Sequence, residues 1–366
     1  MEEELFQIGE SFRGYRIEKL LGRGGLGAVY LARHELLDTL YAIKVLYPDV
    51  ATKNPNYVKR FLREAKLSTR IRHPNLVAVH DCGRDNERNL YYLVMDYIPG
   101  GDLRQAMAFT GKFEPAKAVK IVAQVASALS AAQAYEVVHR DIKPENIMLQ
   151  ADGVVKLVDL GIAKASNLGD SLRTTADSLF GTPIYVSPEQ AQSAADVDQR
   201  SDIYSLGIVF FELVTGRTPF AGKNAAQVLT EILSEDSVPD PRDFDSSVPA
   251  SIAILIRRMT AKDRNRRFDS FDRLLEEIAK SGYDLGEVGR SKTELTPTKD
   301  TLEVERPTVI DLNNPPVAND TLSMDTDDPE VKAFVSQLKR KRVRNKLLSV
   351  LGVITIIALI IFIMTW

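Results

Sequence analysis

The chain has 366 residues, of which 44% are hydrophobic and 27% charged, with a formal net charge of −3. These values are ordinary for a globular protein that is long enough for two domains or one large bilobal domain. The near-neutral charge gives no indication of a nucleic-acid partner. The one cysteine, Cys82, excludes an internal disulfide framework and favours a reducing compartment. The first ten residues lack the basic and apolar parts of a secretory signal.

After an N-terminal extension, residues 1–14, the chain predicts a β-rich region. Polar and apolar residues alternate over residues 15–21, 28–32 and 40–46, which is typical of strands. A glycine-rich turn separates the first two of these strands. Residues 56–71 instead place apolar side chains at helical spacing, so a helix is expected there.

A mainly helical region follows. Short strand-like segments come first, at residues 76–79 and 91–97, and helical spacing dominates from about residue 102. The clearest helical patterns cover residues 116–134, 202–215 and 251–260. A small β-rich part followed by a larger helical part predicts an α+β architecture, with one folded domain over residues 15–280.

Beyond the folded domain the composition changes twice. Residues 281–338 are acidic and rich in threonine and proline, which predicts a disordered linker. Residues 339–346 are strongly basic, and residues 347–366 carry no charge. Twenty helical residues span about 30 Å, so this last segment predicts a transmembrane helix; the alternative, a buried core helix, is usually shorter. By the positive-inside rule, we expect a single-pass membrane protein whose folded domain is cytoplasmic.

The sequence HRDIKPEN at residues 139–146, followed by VDLG at residues 158–161, carries the most chemical information. A loop with Asp141 and Asn146 can offer a base to an incoming hydroxyl and an amide oxygen to a metal. Asp159 can hold that metal against phosphates. The pattern indicates phosphate transfer from a metal-bound nucleotide, and a polar surface loop is the alternative.

A second motif, GRGGLG at residues 22–27, has the spacing G-x-G-x-x-G. Alone, it also fits the dinucleotide-binding fold of an oxidoreductase. Here it leads into a predicted strand rather than a helix, and Ala42-Ile43-Lys44 follows, which disfavours that fold. Small residues let the backbone close over phosphates, and Lys44 can pair with their charge. Glu64, on the predicted helix, is a natural counter-ion for Lys44.

In this order the motifs resemble the signature of eukaryotic-type protein kinases, over residues 15–278. GTPIYVSPE at residues 181–189 resembles the family's substrate loop, and DIYSLG at 202–207 resembles its central buried helix. Arg267 resembles the arginine that pairs with Glu189. The sequences of these motifs are most similar to those of bacterial membrane-anchored serine/threonine kinases, which implies a location in the bacterial inner membrane. The resemblance implies a bilobal protein-kinase-like fold, with a β-rich N-lobe and a larger helical C-lobe, and a non-specific serine/threonine protein kinase activity.

The resemblance also implies catalytic roles. Asp141 would accept the proton of the substrate hydroxyl, and Lys143 would neutralise the transferring phosphoryl group. Lys143, together with Thr182 in the substrate loop, implies specificity for Ser and Thr rather than Tyr. Asn146 and Asp159 would hold Mg²⁺ or Mn²⁺.

For ATP, the resemblance implies that Lys44, aligned by Glu64, binds the α- and β-phosphates. Met95 would be the gatekeeper, and the backbone from Asp96 to Ile98 would read the adenine edge. The glycine loop and the residues around the adenine complete the expected nucleotide site, which comprises Leu21, Gly22, Arg23, Gly24, Gly25, Leu26, Gly27, Ala28, Val29, Ala42 and Met148.

Two positions depart from the family pattern. Leu160 stands where the family usually has phenylalanine, and Leu26 replaces the common aromatic residue at the tip of the glycine loop. Leucine is also apolar, so we expect activity to survive. The lysine, the two aspartates and the asparagine described above are all present. An active kinase is therefore favoured over the alternative, a membrane-anchored pseudokinase scaffold.

Regulation is expected at two places. In the family, an arginine such as Arg140 binds a phosphorylated activation loop, and here that loop contains Thr174 and Thr175 as candidate autophosphorylation sites. Around Thr301 and Thr308 the linker resembles ligands of phosphothreonine-binding FHA domains. The alternative for all four threonines is that they are small polar residues. A homodimer in the membrane would favour autophosphorylation in trans.

Overall fold

The computed structural model describes residues 5–53, 55–159, 183–193, 197–220, 222–283, 285 and 288. Its strands are β1 (Ser11–Phe12), β2 (Tyr15–Arg23), β3 (Gly27–His34), β4 (Leu40–Leu46), β5 (Val79–Asp85), β6 (Leu90–Asp96), β7 (Gly101–Asp102), β8 (Ile147–Leu149) and β9 (Val155–Leu157). Its α-helices are α1 (Pro48–Lys53), α2 (Pro55–Ser68), α3 (Leu103–Thr110), α4 (Pro115–Gln133), α5 (Pro188–Gln192), α6 (Gln199–Thr215), α7 (Ala225–Leu233), α8 (Ala250–Met259) and α9 (Phe271–Lys280). The predicted α+β architecture, β-rich first and helical afterwards, is confirmed.

The N-lobe is built on an antiparallel sheet with the strand order β1-β2-β3-β4-β6-β5. Strand β4 has the bounds that the alternation predicts, and β2 and β3 extend slightly further. Because successive side chains of a strand point to opposite faces, β4 sends Ile43 and Val45 into one cluster and Ala42 into another. Both faces of the sheet are therefore covered.

The residues before β2 cover one of these faces. Phe6 and Phe12 are almost fully buried, and their ring centroids lie 4.7 Å apart. Phe6 meets Tyr30 edge-on at 5.1 Å, and Phe12 meets Tyr92 in the same way at 5.3 Å. The predicted domain start at residue 15 leaves this segment out, although its aromatic rings belong to the N-lobe core.

Helix α2 packs on the opposite face, and this positions one side chain of the site. Phe61 and Ala65 are buried against Ala42, Leu93 and Met95. Glu64 lies on the same buried face of α2. Lys44 is two residues from Ala42 and therefore projects from the same face of β4. The packing of α2 thus brings a buried carboxylate towards the strand lysine.

The C-lobe surrounds helix α6, which is mainly apolar and is buried on all sides from Ser201 to Val214. Asp198 caps its N-terminus by accepting the backbone N–H of Arg200, and Gly216 ends it with a φ of 75°. A small antiparallel sheet has the strand order β7-β8-β9, and the loop that follows α4 leads into β8. That loop carries the HRDIKPEN motif.

Within the part of the chain that the structure describes, no helix is long and apolar enough to span a bilayer. The predicted transmembrane helix at residues 347–366 and the basic segment at 339–346 lie outside the described residues. So does most of the predicted linker at 281–338.

Candidate active site

A buried carboxylate holds the backbone of the loop between α4 and β8. Asp202, which is 1% exposed, accepts the backbone N–H groups of His139 and Arg140, each at 2.7 Å. Gln190 donates to the Arg140 carbonyl at 3.1 Å. Arg140 has a φ of 64°, in the left-handed region that residues with a Cβ seldom adopt. Burial raises the pKa of Asp202 to about 7, although the two backbone donors oppose the rise. The loop is thereby anchored to α6.

Asp141 and Asn146 meet near the end of this loop. Nδ2 of Asn146 donates to the backbone carbonyl of Asp141 at 2.7 Å and to its Oδ2 at 2.9 Å. Nζ of Lys143 lies 3.3 Å from the same Oδ2. Because the amide nitrogen faces Asp141, the amide oxygen of Asn146 points elsewhere and can serve a cation. The loop therefore combines a carboxylate that could accept a proton, a positive charge and an amide oxygen that could bind a metal.

Lys44 lies between two carboxylates. Its Nζ is 2.6 Å from Oδ1 of Asp159 and 3.5 Å from Oε1 of Glu64, so the predicted contact with Glu64 is present. Burial lowers the pKa of Lys44, but the charges of Asp159 and Glu64 outweigh burial and raise the pKa overall. Burial also raises the pKa of Glu64; the Lys44 charge opposes this rise, whereas the Asp159 charge adds to it. One ammonium group thus serves two carboxylates, which favours binding of a further cation.

The glycine motif forms the turn of the β2–β3 hairpin, where the Gly24 N–H donates to the Gly27 carbonyl at 2.8 Å. A Cβ atom on Gly27 would lie 1.9 Å from the carbonyl oxygen of Val45, so no larger residue fits there without moving β4. Residues 21–25 are exposed, including Leu21, Gly22, Arg23 and Gly25. The tip of the hairpin therefore has room to cover a ligand.

The residues predicted around the adenine come from both lobes. Ala42 and Met95 are cross-strand neighbours in β4 and β6, and both are buried. Ile98, just after β6, is buried as well, while Val29 and Met148 are half-buried on β3 and β8. The site is apolar, as an adenine ring requires.

The expected hinge begins at the last residue of β6. The Asp96 N–H donates to the Ala78 carbonyl at 3.0 Å, so this N–H is committed to the sheet. Oδ1 of Asp96 lies 2.6 Å from Nε2 of His80. The Asp96 side chain is therefore engaged by the segment around β5, and a contact with adenine would use its carbonyl.

A buried ion pair joins α5 to the end of the domain. Arg267 donates from Nη1 and Nη2 to the two oxygens of Glu189, at 2.7 and 2.9 Å, which confirms the predicted pairing. The Arg267 side chain has no exposure, and Ser201 also donates to Glu189. Burial opposes ionisation of Glu189, but the Arg267 bonds and charge lower its pKa overall.

Several regulatory predictions fall in the activation loop. Thr174, Thr175, Thr182 and Leu160 lie outside the described residues. Arg140 is described: burial lowers its pKa, the Asp202 charge opposes this, and the positive charge of Arg63 on α2 lowers it further. Two arginine charges from different lobes are therefore close enough to interact.

One cluster near the catalytic loop is absent from the sequence predictions. Arg104 of α3 donates from Nε to Glu145 at 2.9 Å, and from its two Nη atoms to Glu212 and to the Tyr185 hydroxyl. The Tyr185 hydroxyl donates in turn to Glu212 at 2.5 Å. The four residues come from four separate segments of the chain, so no local sequence motif predicts that they interact.

A model of the protein kinase domain matches residues 15–280 of the chain. The chain belongs to the protein kinase family. The predicted family and its bilobal fold are thereby confirmed. Among solved structures, the kinase domain of Mycobacterium tuberculosis PknI is similar with a TM-score of 0.59 and 28% identity, over 75% of this chain and 99% of that one.

Curated relatives of this kinase are bacterial proteins named as serine/threonine-protein kinases. PrkC of Bacillus subtilis is 38% identical over 278 residues, which are 76% of this chain and 42% of PrkC. PknB of Mycobacterium tuberculosis (strain CDC 1551 / Oshkosh) is 37% identical over 259 residues, which are 70% of this chain and 41% of PknB. The chain thus matches about two fifths of the length of these relatives.

Proposed function

We propose that this chain is an active serine/threonine protein kinase, which transfers the γ-phosphoryl group of ATP to Ser and Thr hydroxyls of proteins. The observation that carries the proposal is the position of Lys44 between Glu64 and Asp159. A half-buried lysine between two carboxylates is suited to bind nucleotide phosphates as well, and Asp159 would hold a divalent metal. The names of the relatives support the Ser/Thr class.

In the reaction, the substrate oxygen forms a bond to the γ-phosphorus while the bond from that phosphorus to the β-phosphate oxygen breaks. The hydroxyl proton passes to a carboxylate oxygen of Asp141, which Asn146 and Lys143 hold in place. Lys143 offsets negative charge on the transferring group. Catalysis then rests on positioning and charge, with ADP as the leaving group.

Asn146 and Asp159 fit a divalent metal of the Mg²⁺ or Mn²⁺ type. Both offer hard oxygen donors, and Mg²⁺ keeps several waters and substrate phosphates rather than demanding a full protein cage. Over the described ranges, no group of three or more His, Cys, Asp or Glu residues could hold a metal. That agrees with a site completed by the nucleotide. A bound metal would neutralise part of the negative charge of the phosphates.

Regulation and location follow as further parts of this proposal. Arg140 and Arg63 would bind phosphate on Thr174 or Thr175 after autophosphorylation, because a phosphate brings nearly two negative charges. The uncharged segment 347–366 would anchor the kinase to the membrane, with residues 15–280 in the cytoplasm. A homodimer there would phosphorylate in trans, and phosphorylated Thr301 or Thr308 would recruit FHA domains.

The test follows γ-phosphate transfer from Mg-ATP by the full chain to a generic protein substrate. Asp141→Asn should lower kcat by about 10²–10⁴-fold while nucleotide binding persists, since it removes a proton acceptor. The matched control is Asp243→Asn, an exposed aspartate of the same lobe. Nucleotide binding without any transfer by the unaltered chain would instead favour the pseudokinase scaffold.

A further inference from the structure

Arg104, Glu145, Tyr185 and Glu212 form what we call the arginine cluster. Three donor nitrogens of the Arg104 guanidinium are used, one for each of the other members. The Tyr185 hydroxyl accepts from Arg104 and donates to Glu212, so it links the two charges. The cluster is therefore a closed set of hydrogen bonds around one guanidinium group.

The cluster adjoins the loop that carries the proposed proton acceptor. Glu145 precedes Asn146, whose side chain is bonded to Asp141, the proposed proton acceptor. Tyr185 belongs to residues 181–189, which resemble the family's substrate loop. The cluster thus joins the catalytic loop to that segment through α3 and α6.

The cluster is buried at the Glu212 end and exposed to solvent at the Glu145 end. The Glu212 side chain is 7% exposed, whereas those of Arg104 and Glu145 are 37% and 43% exposed. Solvent, and hence a peptide, reaches the cluster from the Glu145 side. We call the space that the Arg104 side chain fills the cleft; without that side chain, a substrate side chain could enter it from the Glu145 side.

The charges of the cleft suit a guanidinium group. Without Arg104, the cleft would present the carboxylates of Glu145 and Glu212 and the hydroxyl of Tyr185. A planar guanidinium recognises carboxylates through paired N–H donors, so this set would select arginine. Burial and the Glu212 charge raise the pKa of Tyr185, so its hydroxyl stays neutral.

We propose that Arg104 is a specificity-determining residue, which fills the cleft with the chain's own guanidinium and so excludes basic side chains of the substrate. The proposal rests on the proposed kinase function and names its substrate class: Ser/Thr peptides without a required flanking Arg or Lys. The competing role is purely structural, with Arg104 holding Tyr185 in place.

The experiment compares Ser/Thr peptide libraries that fix either Arg or Ala at one flanking position at a time, phosphorylated by the full chain. The unaltered kinase should not prefer Arg at any position. Arg104→Ala should raise the Arg/Ala ratio at one or two positions by about tenfold, as expected for a gained charge-assisted pair. Adding Glu145→Gln should remove most of this gain, and Arg104→Lys should show a smaller one.

The matched control is Arg217→Ala, which removes an exposed arginine of the same lobe that stacks on Phe244 at 4.6 Å. Its peptide ratios should equal those of the unaltered chain. A structural role predicts lower total phosphorylation by Arg104→Ala with unchanged ratios, which would overturn the proposal. A strong Arg preference of the unaltered chain would overturn it without any variant.

Failure of the kinase proposal is distinguishable. An unaltered chain that phosphorylates no peptide contradicts the proposed function, and the cleft is then tested by fluorescence anisotropy with Arg- and Ala-containing peptides. If Arg104→Ala does not fold, the unaltered chain and Arg104→Lys decide between the two roles. Equal binding of both peptides by the folded variant would contradict the proposal.

Discussion

Asp202 accepts the backbone N–H of Arg140 at 2.7 Å, although 62 positions separate the two residues in the chain. The same carboxylate accepts the N–H of His139. A non-glycine residue in the left-handed region costs roughly 1–3 kcal/mol and persists where its surroundings fix it. The buried helix α6 thus fixes a strained turn directly before Asp141, and this links the packing of the C-lobe to the chemistry of the loop.

The first prediction concerns this link. Asp202→Asn keeps the volume but leaves one oxygen for two backbone N–H groups, so the unfolding free energy should fall by about 1–3 kcal/mol. We expect kcat to fall at least tenfold with little change in KM for ATP, because the displaced loop carries Asp141 rather than the nucleotide pocket. Urea denaturation and steady-state kinetics measure both. An unchanged kcat in the folded variant would show that the loop does not depend on Asp202.

The second prediction separates two glycines of one motif. In Gly27→Ala the new Cβ would lie 1.9 Å from Val45 O, so we expect a loss of about 1–3 kcal/mol of stability from strand displacement. In Gly24→Ala the nearest atom is 3.9 Å away, and stability should hardly change. Thermal unfolding of both variants measures the difference. Equal melting temperatures would contradict the close approach of β3 and β4.

The candidate catalytic residues could be proposed from the sequence because each stands in a short motif. Lys44, Asp141 and Asn146 stand in runs whose spacing is set by one loop or one strand. Helix α6 could be predicted equally well, since a long run of mostly apolar residues indicates a buried helix. These motifs and this helix depend on residues that are close together in the chain, so local sequence patterns predict them.

Other features depend on distant neighbours and left no local pattern. Strand β5 lies at the edge of its sheet and reads VHDCGRD, so it shows little apolar alternation. Phe6 and Phe12 are isolated aromatics whose burial depends on Tyr30 and Tyr92. The arginine cluster draws on four segments, and its pairing arises from tertiary packing alone.

A third prediction concerns the ion pair between Lys44 and the buried Glu64. Lys44→Met leaves the Glu64 carboxylate without its cation and should lower the unfolding free energy by about 1–3 kcal/mol. Adding Glu64→Gln removes that carboxylate, so the double variant should regain most of the loss. Urea denaturation of all four proteins gives the coupling energy. Additive effects of the two substitutions would contradict a direct interaction, whatever their effect on activity.

The last prediction follows from the lowered pKa of Glu189, whose carboxylate is bonded to the fully buried Arg267. A carboxyl whose pKa is depressed in the folded protein binds fewer protons there than in the unfolded chain. Its contribution is therefore complete above the ordinary pKa of 4.5 and is lost as the pH falls towards the lowered value. Glu189→Gln leaves Arg267 without a counter-ion and should cost about 3–5 kcal/mol at pH 7.

The urea midpoint, followed from pH 7 to pH 3, measures this contribution. Asp240→Asn is the control, because hydrogen bonds from Arg242 also lower the pKa of Asp240, but its side chain is more exposed than that of Glu189. We expect the difference in urea midpoint between the unaltered chain and Glu189→Gln to become smaller below pH 4.5. Acid protonates the Glu189 carboxylate of the unaltered chain, and the substitution has already removed that carboxylate. A difference in urea midpoint that stays constant down to pH 3 would show that Glu189 stabilises the fold through packing rather than through its charge.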